Sequence, residues 1–104
     1  MGSLKPVRSE VWLIDFGLAA KVRPALVVSE PYGEGDRALI AVVPHTTSLR
    51  GSKFEIQISA PFLKTTGAFL LQGLVTVPPP YFVKKLGMLS DSQMTLIEIG
   101  RAHV

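Results

Sequence analysis

Short apolar runs, each cut off by a proline or a glycine, constrain this chain more than any other feature. Residues 10–16, Glu10-Val11-Trp12-Leu13-Ile14-Asp15-Phe16, are rich in β-branched and aromatic side chains and stop at Gly17. Residues 25–29, 38–43 and 54–58 repeat the pattern, closed in turn by Pro31 and Gly33, by Pro44, and by Pro61. Runs of this length with turn formers between them predict strands rather than helices, and the short connections predict antiparallel neighbours. The first run is apolar on both faces, as in a small barrel. Phe54-Glu55-Ile56-Gln57-Ile58 instead alternates strictly, which sets one face on the core and one in water.

Further along, residues 68–77 read as a fifth strand in which Gly73 marks a bulge. Pro78-Pro79-Pro80 reads as a stiff polyproline spacer, and residues 81–86 as a short last strand carrying Lys84 and Lys85. Ser90 and Gln93 have the spacing of a capping box, so a helix is predicted to begin there, with Met94, Ile97 and Leu96 packed on the sheet. The expected fold is mainly β: a small antiparallel barrel of five to six strands with a C-terminal helix, closure removing exposed sheet edges.

The 104 residues suffice for one domain with a single modest core, which dimerisation would help. Mean hydropathy is +0.34, yet no apolar run approaches the roughly 18 residues of a membrane span. The start, Met1-Gly2-Ser3-Leu4-Lys5-Pro6, lacks the apolar segment of a secretory signal, and there is no cysteine. A soluble cytoplasmic protein with no membrane partner is expected. Residues 98–104 look wrong for the end of so short a helix. Back-translated, they fit GAGATCGGAAGAGCACACGTC, which after its first base is the start of a widely used sequencing adapter. The natural carboxyl terminus is therefore expected to be missing, and no function is assigned to Arg101 or His103.

Charge is +3 overall, a mild bias compatible with a polyanionic partner. From Lys21 to Lys85 there are eight Lys or Arg against four acids, and three of those acids, Glu30, Glu34 and Asp36, share one loop. The surface elsewhere is expected to be cationic. Two segments then stand out. Lys21-Val22-Arg23-Pro24 is a cationic turn running into an apolar strand, and the proline forces Arg23 into an extended conformation. Pro44-His45-Thr46-Thr47-Ser48 sets an imidazole and three hydroxyls just after another strand. If the two strands are neighbours, these groups converge. Taken singly, each has a structural reading as well: Arg23 paired with Glu10 or Asp15, Thr46, Thr47 and Ser48 as turn formers, and His45 as a solvated loop residue. Trp12 and Phe16 read as core, Lys84 and Lys85 as a solvated face, and Tyr81 and Phe82 as buried at the barrel end.

The order and spacing of Glu10-Val11-Trp12-Leu13-Ile14-Asp15-Phe16-Gly17, Arg23-Pro24-Ala25-Leu26-Val27-Val28-Ser29 and Val43-Pro44-His45-Thr46-Thr47-Ser48 resemble the MazF/PemK toxins over residues 9–97. The resemblance implies an SH3-like barrel, a homodimer, and a metal-independent endoribonuclease that needs no cofactor. It further implies single-stranded RNA as substrate and a cognate antitoxin protein as partner, with DNA met only through that antitoxin. Arg23 falls on the family's catalytic arginine and Thr46 on its catalytic threonine, with Thr47 the adjacent alternative. The chemistry is sensible: a ribose 2′-hydroxyl already lies beside the scissile phosphorus, so the protein must mainly position it and stabilise charge growing on the phosphate oxygens. A guanidinium suits that task better than proton abstraction. His45 could carry a proton near neutral pH, while Lys21, Thr47, Ser48, Arg50 and Lys53 would line the RNA path.

Two departures accompany the resemblance. Only Leu18-Ala19-Ala20-Lys21-Val22 stands where many relatives have a long glycine-rich loop, and Leu71-Gln72 followed by Leu74 stands where they carry Asp-Gln and an arginine. A mechanism that leans on that acid or that arginine cannot operate here. The competing readings are a weak or inactive barrel that binds RNA or an acidic antitoxin-type peptide and, from fold analogy alone, a gyrase-poisoning toxin.

Overall fold

The computed structural model describes residues 5–17, 22–31, 33, 35, 37–63 and 66–102. Lys21 and most of the short loop before Arg23, together with Glu34, Asp36 and His103, lie outside the described residues. Seven strands form the antiparallel sheet: β1 Glu10–Asp15, β2 Val22–Val27, β3 Ile40–Thr46, β4 Glu55–Ile56, β5 Ala68–Leu70, β6 Val75–Val77 and β7 Phe82–Met88. They run in the order β4-β5-β3-β2-β1-β7, with β6 paired to β3 as well, and α1 Asp91–Arg101 follows.

β1, β2 and β3 form the middle of the barrel wall, and their apolar stretches are buried on both faces. Alternate residues feed two clusters. Val11, Leu26, Val28 and Val43 join Ile58, Phe69, Leu71, Leu89, Met94 and Ile97 on the helix side. Trp12, Ile14, Ala25, Val27, Ile40 and Val42 join Val77 and Phe82 on the other, where Trp12 meets Phe82 edge-on with ring centroids 5.8 Å apart. Phe16 packs against this second cluster, half-buried.

Several boundaries differ from those the sequence suggests, each for a tertiary reason. Arg23 and Pro24 belong to β2 rather than to a turn before it, and Pro44, His45 and Thr46 belong to β3 rather than to a loop after it. The β2–β3 ladder ends at Ala25 opposite Pro44, so the proline's missing N–H falls where the strands part. β3 then changes partner: Ile40, Ala41 and Val42 pair with β6, while His45 and Thr46 pair with β5. The segment read as one bulged strand over 68–77 is therefore two strands joined by the 3-10 turn Leu71–Gly73. Gly73 is needed there because a Cβ would lie 2.9 Å from the ring of Pro44. Pro78 to Tyr81 is likewise not a polyproline spacer: Pro79–Tyr81 is a 3-10 turn capped by Pro78. β7 runs on through Gly87 to Met88. The predicted fourth strand shortens to Glu55–Ile56, although Phe54, Ile56 and Ile58 keep the core face that the alternation assigned them.

No ladder joins β4 to β7 among the described residues. Side chains cover that gap instead. Phe62 lies against Gly87 of β7 so closely that a Cβ there would enter its ring, and α1 sets Gly100 onto Leu71 and Ile56. The helix begins as predicted: Ser90 accepts from Gln93 N–H while the Gln93 side chain accepts from Ser90 N–H. Met94 and Ile97 are buried, but Leu96 is half exposed and does not pack on the sheet. Tyr81, expected to be buried, is also half exposed. No helix among the described residues is long and apolar enough to cross a membrane.

Candidate active site at one end of the barrel

Side-chain alternation decides what reaches this end of the barrel. Arg23 has the parity of Ala25 and Val27 in β2, and Thr46 that of Ile40 and Val42 in β3, so both continue the stripe that feeds the Trp12 cluster. Extending the β2–β3 register past Ala25 and Pro44 sets Arg23 opposite Thr46. The strands have separated by then, and a hollow of about 240 Å³ opens between them, lined by Val22, Arg23, Pro24, His45, Thr46, Thr47 and Ser48. Arg23 also lines a second, more apolar hollow with Phe16, Pro44, Gly73 and Val75.

Arg23 is exposed and makes no ion pair among the described residues. The acids that could have neutralised it are engaged elsewhere. Glu10 holds Lys85 at 2.9 Å, and Asp15 accepts from the N–H of Gly17. Among the described residues nothing compensates the guanidinium at the hollow, and its fork suits an anion with a pair of oxygens. Thr46 is half-buried, and its Oγ1 accepts the N–H of Ser48 at 3.0 Å. That bond fixes the hydroxyl and leaves its proton free to be donated. Thr47 and Ser48 are exposed on the rim.

His45 differs from its expected setting. It is 5 % exposed, with the parity of Val43, and its ring meets Phe69 edge-on at 5.1 Å on the helix-side cluster. Burial pushes its pKa below the ordinary 6.5, so the ring is neutral at physiological pH. Neither ring nitrogen is hydrogen-bonded among the described residues. Gly67, just before β5, makes this packing possible. A Cβ there would lie 2.6 Å from His45 Cε1 and would collide with the carbonyl oxygen of Thr46. A glycine is thus required to bring β5 onto the end of β3 that carries Thr46.

Arg50 and Lys53 do not line the hollow beside Arg23 and Thr46. They sit on the loop between β3 and β4, and Lys53 Nζ lies 5.3 Å from the centre of the Phe54 ring. Glu55 folds that loop by accepting the backbone N–H groups of Arg50, Gly51 and Ser52 at 2.9 to 3.3 Å. The sequence offered no sign of this role beyond an acid following a polar turn. The place of the family's acid is filled by Leu71, which is buried in the helix-side cluster, and Leu74 is half exposed.

A cationic fork and an oriented hydroxyl at the mouth of a small β-barrel have the chemistry to hold an oxyanion. The sequence matches, over residues 7–100, the family model for the PemK-like, MazF-like toxin of type II toxin-antitoxin system, and the chain belongs to that family. No curated protein sequence matches the chain. Among solved structures it is similar to an endoribonuclease in complex with its cognate antitoxin from a mycobacterial species, at 22% identity and TM-score 0.78 over 94% of this chain and 92% of that one. It is also similar to the Mycobacterium tuberculosis toxin MazF-mt6, at 21% identity and TM-score 0.77 over 90% and 93%. MazE-MazF from Deinococcus radiodurans gives 20% identity and TM-score 0.78 over 97% and 95%. At these identities the likeness is one of fold.

Proposed function

We propose that the chain is the toxin of a type II toxin-antitoxin pair and acts as an endoribonuclease on single-stranded RNA, with Arg23 and Thr46 acting on the scissile phosphate. The observation that carries this reading is that Arg23, without an ion pair among the described residues, shares one hollow with Thr46 at the parted ends of β2 and β3. In the reaction the 2′-oxygen bonds to phosphorus and the P–O5′ bond breaks. The 2′ proton leaves and the 5′ oxygen gains one, giving a 2′,3′-cyclic phosphate and a 5′-hydroxyl. Arg23 stabilises the charge that grows on the non-bridging oxygens, and the Thr46 hydroxyl donates to one of them. His45 is a lining residue of the same hollow, and its neutral imidazole is assigned the 2′ proton. Thr47 and Ser48 on the rim of the hollow hold the strand, and Arg50 and Lys53 on the β3–β4 loop add positive charge for it. A cognate antitoxin would neutralise the toxin by covering this end, and a homodimer would extend the cationic surface across two copies.

The test is to incubate purified protein with a mixed single-stranded RNA and read the ends. Cyclic-phosphate and 5′-hydroxyl ends are expected; intact RNA, or 5′-phosphate ends, would overturn the reading. One observation favours a second reading, a barrel that binds RNA without cutting it: the buried Leu71 replaces the acid that relatives carry. Retention of uncut RNA in the same incubation would select it.

A further inference from the structure

We propose that Glu55 is a positioning residue for the RNA strand: by holding the loop between β3 and β4 in one shape, it sets Arg50 and Lys53 where they meet phosphates that flank the cleaved one. The proposal rests on the RNA-cleaving reading of the Arg23 end and adds to it how the strand is held beyond the hollow. The loop leaves β3 at Thr46 and passes Thr47 and Ser48 on the rim. Arg50 follows two residues later, at most about 7 Å of chain from Ser48. A strand whose phosphate sits on Arg23 therefore runs within reach of the loop's cations.

Polar bonds tie the loop at both ends. At its start Thr46 Oγ1 accepts from Ser48 N–H. At its far end the Glu55 carboxylate accepts from Arg50 N–H at 2.9 Å, from Gly51 N–H at 3.0 Å and from Ser52 N–H at 3.3 Å. Ser52 Oγ accepts from Phe54 N–H, and the Ser52 carbonyl from Glu55 N–H. Three successive N–H groups converge on one anion because Gly51 holds φ at +72°, a conformation that a side chain would strain. Bonds to a charged acceptor are roughly twice as strong as neutral ones, so the carboxylate is well suited to fix the backbone. Glu55 is the only acid in the sequence between Asp36 and Asp91, yet it does not pair with its neighbours. Arg50 and Lys53 are exposed, and neither makes an ion pair among the described residues. Lys53 Nζ instead lies 5.3 Å from the centre of the Phe54 ring, which packs on the helix-side core. The carboxylate thus shapes the backbone under two cations, and a loop already held in one shape loses less entropy when a strand docks on it.

The test is binding of an uncleavable single-stranded 2′-deoxy oligonucleotide by the full chain at low salt, where attraction to phosphates is strongest. Glu55→Gln and Glu55→Ala each remove a negative charge, so charge alone would tighten binding. The expected result is the opposite, a Kd raised about tenfold as the loop loses its shape. In a chain that also carries Arg50→Ala and Lys53→Ala, the Glu55 change should make no further difference, because the groups it acts through are gone. Equal or tighter binding by Glu55→Gln, or the same loss with both cations already removed, overturns the proposal. So does an Arg50→Ala, Lys53→Ala chain that binds as tightly as wild type, a result that holds even if the Glu55 variants unfold, since both side chains are exposed. On RNA that is cut, Glu55→Gln should raise KM and leave kcat unaltered; a fall in kcat at constant KM counts against the proposal. Oligonucleotide binding that depends on Glu55 without any cutting of RNA supports the role of the loop and counts against the nuclease reading alone.

Discussion

The two ends of β1 handle charge in opposite ways. At its start Glu10 is 7 % exposed, and everything around it is satisfied: its carboxylate accepts from Val7 N–H, from Trp12 Nε1–H and from Lys85. Burial acts to raise its pKa, but the bonds from Val7, Lys85 and Trp12 together outweigh that and hold it below the ordinary 4.5. Near the other end, Ile14 pairs with Arg23, which is exposed and makes no ion pair among the described residues. A closed cluster ties the N-terminal turn and β7 to the barrel, while the Arg23 cation makes no ion pair among the described residues. Position along the sheet separates a charge held inside the fold from one left at its open end, and residue type does not.

That contrast can be broken at either end. The largest effect is expected from Arg23→Ala, which should lower RNA cleavage by about 10²- to 10³-fold, with Thr46→Val costing on the order of 10². Both should leave melting nearly unchanged, Arg23 because it is exposed, and a loss of folding instead would assign it a structural role. At the closed end, Glu10→Ala should leave Trp12 and Val7 donors without an acceptor and cost about 2 kcal/mol in chemical denaturation. Because the Glu10 pKa is lowered, its contribution is present above the unfolded carboxylate value and is lost as pH falls through the folded one. An acid titration of wild type against Glu10→Gln reads this directly.

Smaller effects sharpen the picture. The His45 pKa is also lowered, so the unfolded chain binds a proton first as pH drops below about 6.5, and stability should fall with it. His45→Gln should flatten that slope; an unchanged slope would place the titration elsewhere. The smallest effect concerns Ser9, which holds φ at +83° and bonds through its backbone to Val27 and Leu89. Ser9→Gly should relieve about 1 kcal/mol of left-handed strain, seen as a raised Tm, with cleavage unaltered.

How much of this was legible depended on how local the cause was. The capping box at Ser90 and Gln93 and the core face of Phe54, Ile56 and Ile58 are set by residues within a turn of one another, and reading them needs no fold. The strand ends at Pro24 and Pro44 differ from the expected ones because a proline, read in sequence alone, signals a stop. In the structure each falls where a ladder has ended, so the strand runs on through it. Gly73 and Gly67 are required by Pro44, His45 and Thr46, which are far off in sequence. His45 looked solvated because a single residue carries no periodicity, and its burial against Phe69 depends on β5 pairing with β3. Arg23 and Thr46 could be singled out from their prolines and their order, but their convergence needed the β2–β3 register.

The most direct test sets the two ends of β1 side by side: RNA cleavage by Arg23→Ala and by Glu10→Gln, on the same mixed RNA and well below either variant's melting temperature. The account predicts that the Arg23 variant is folded and nearly inactive while the Glu10 variant, though less stable, cuts at the wild-type rate. Cleavage by Arg23→Ala at the wild-type rate would contradict it.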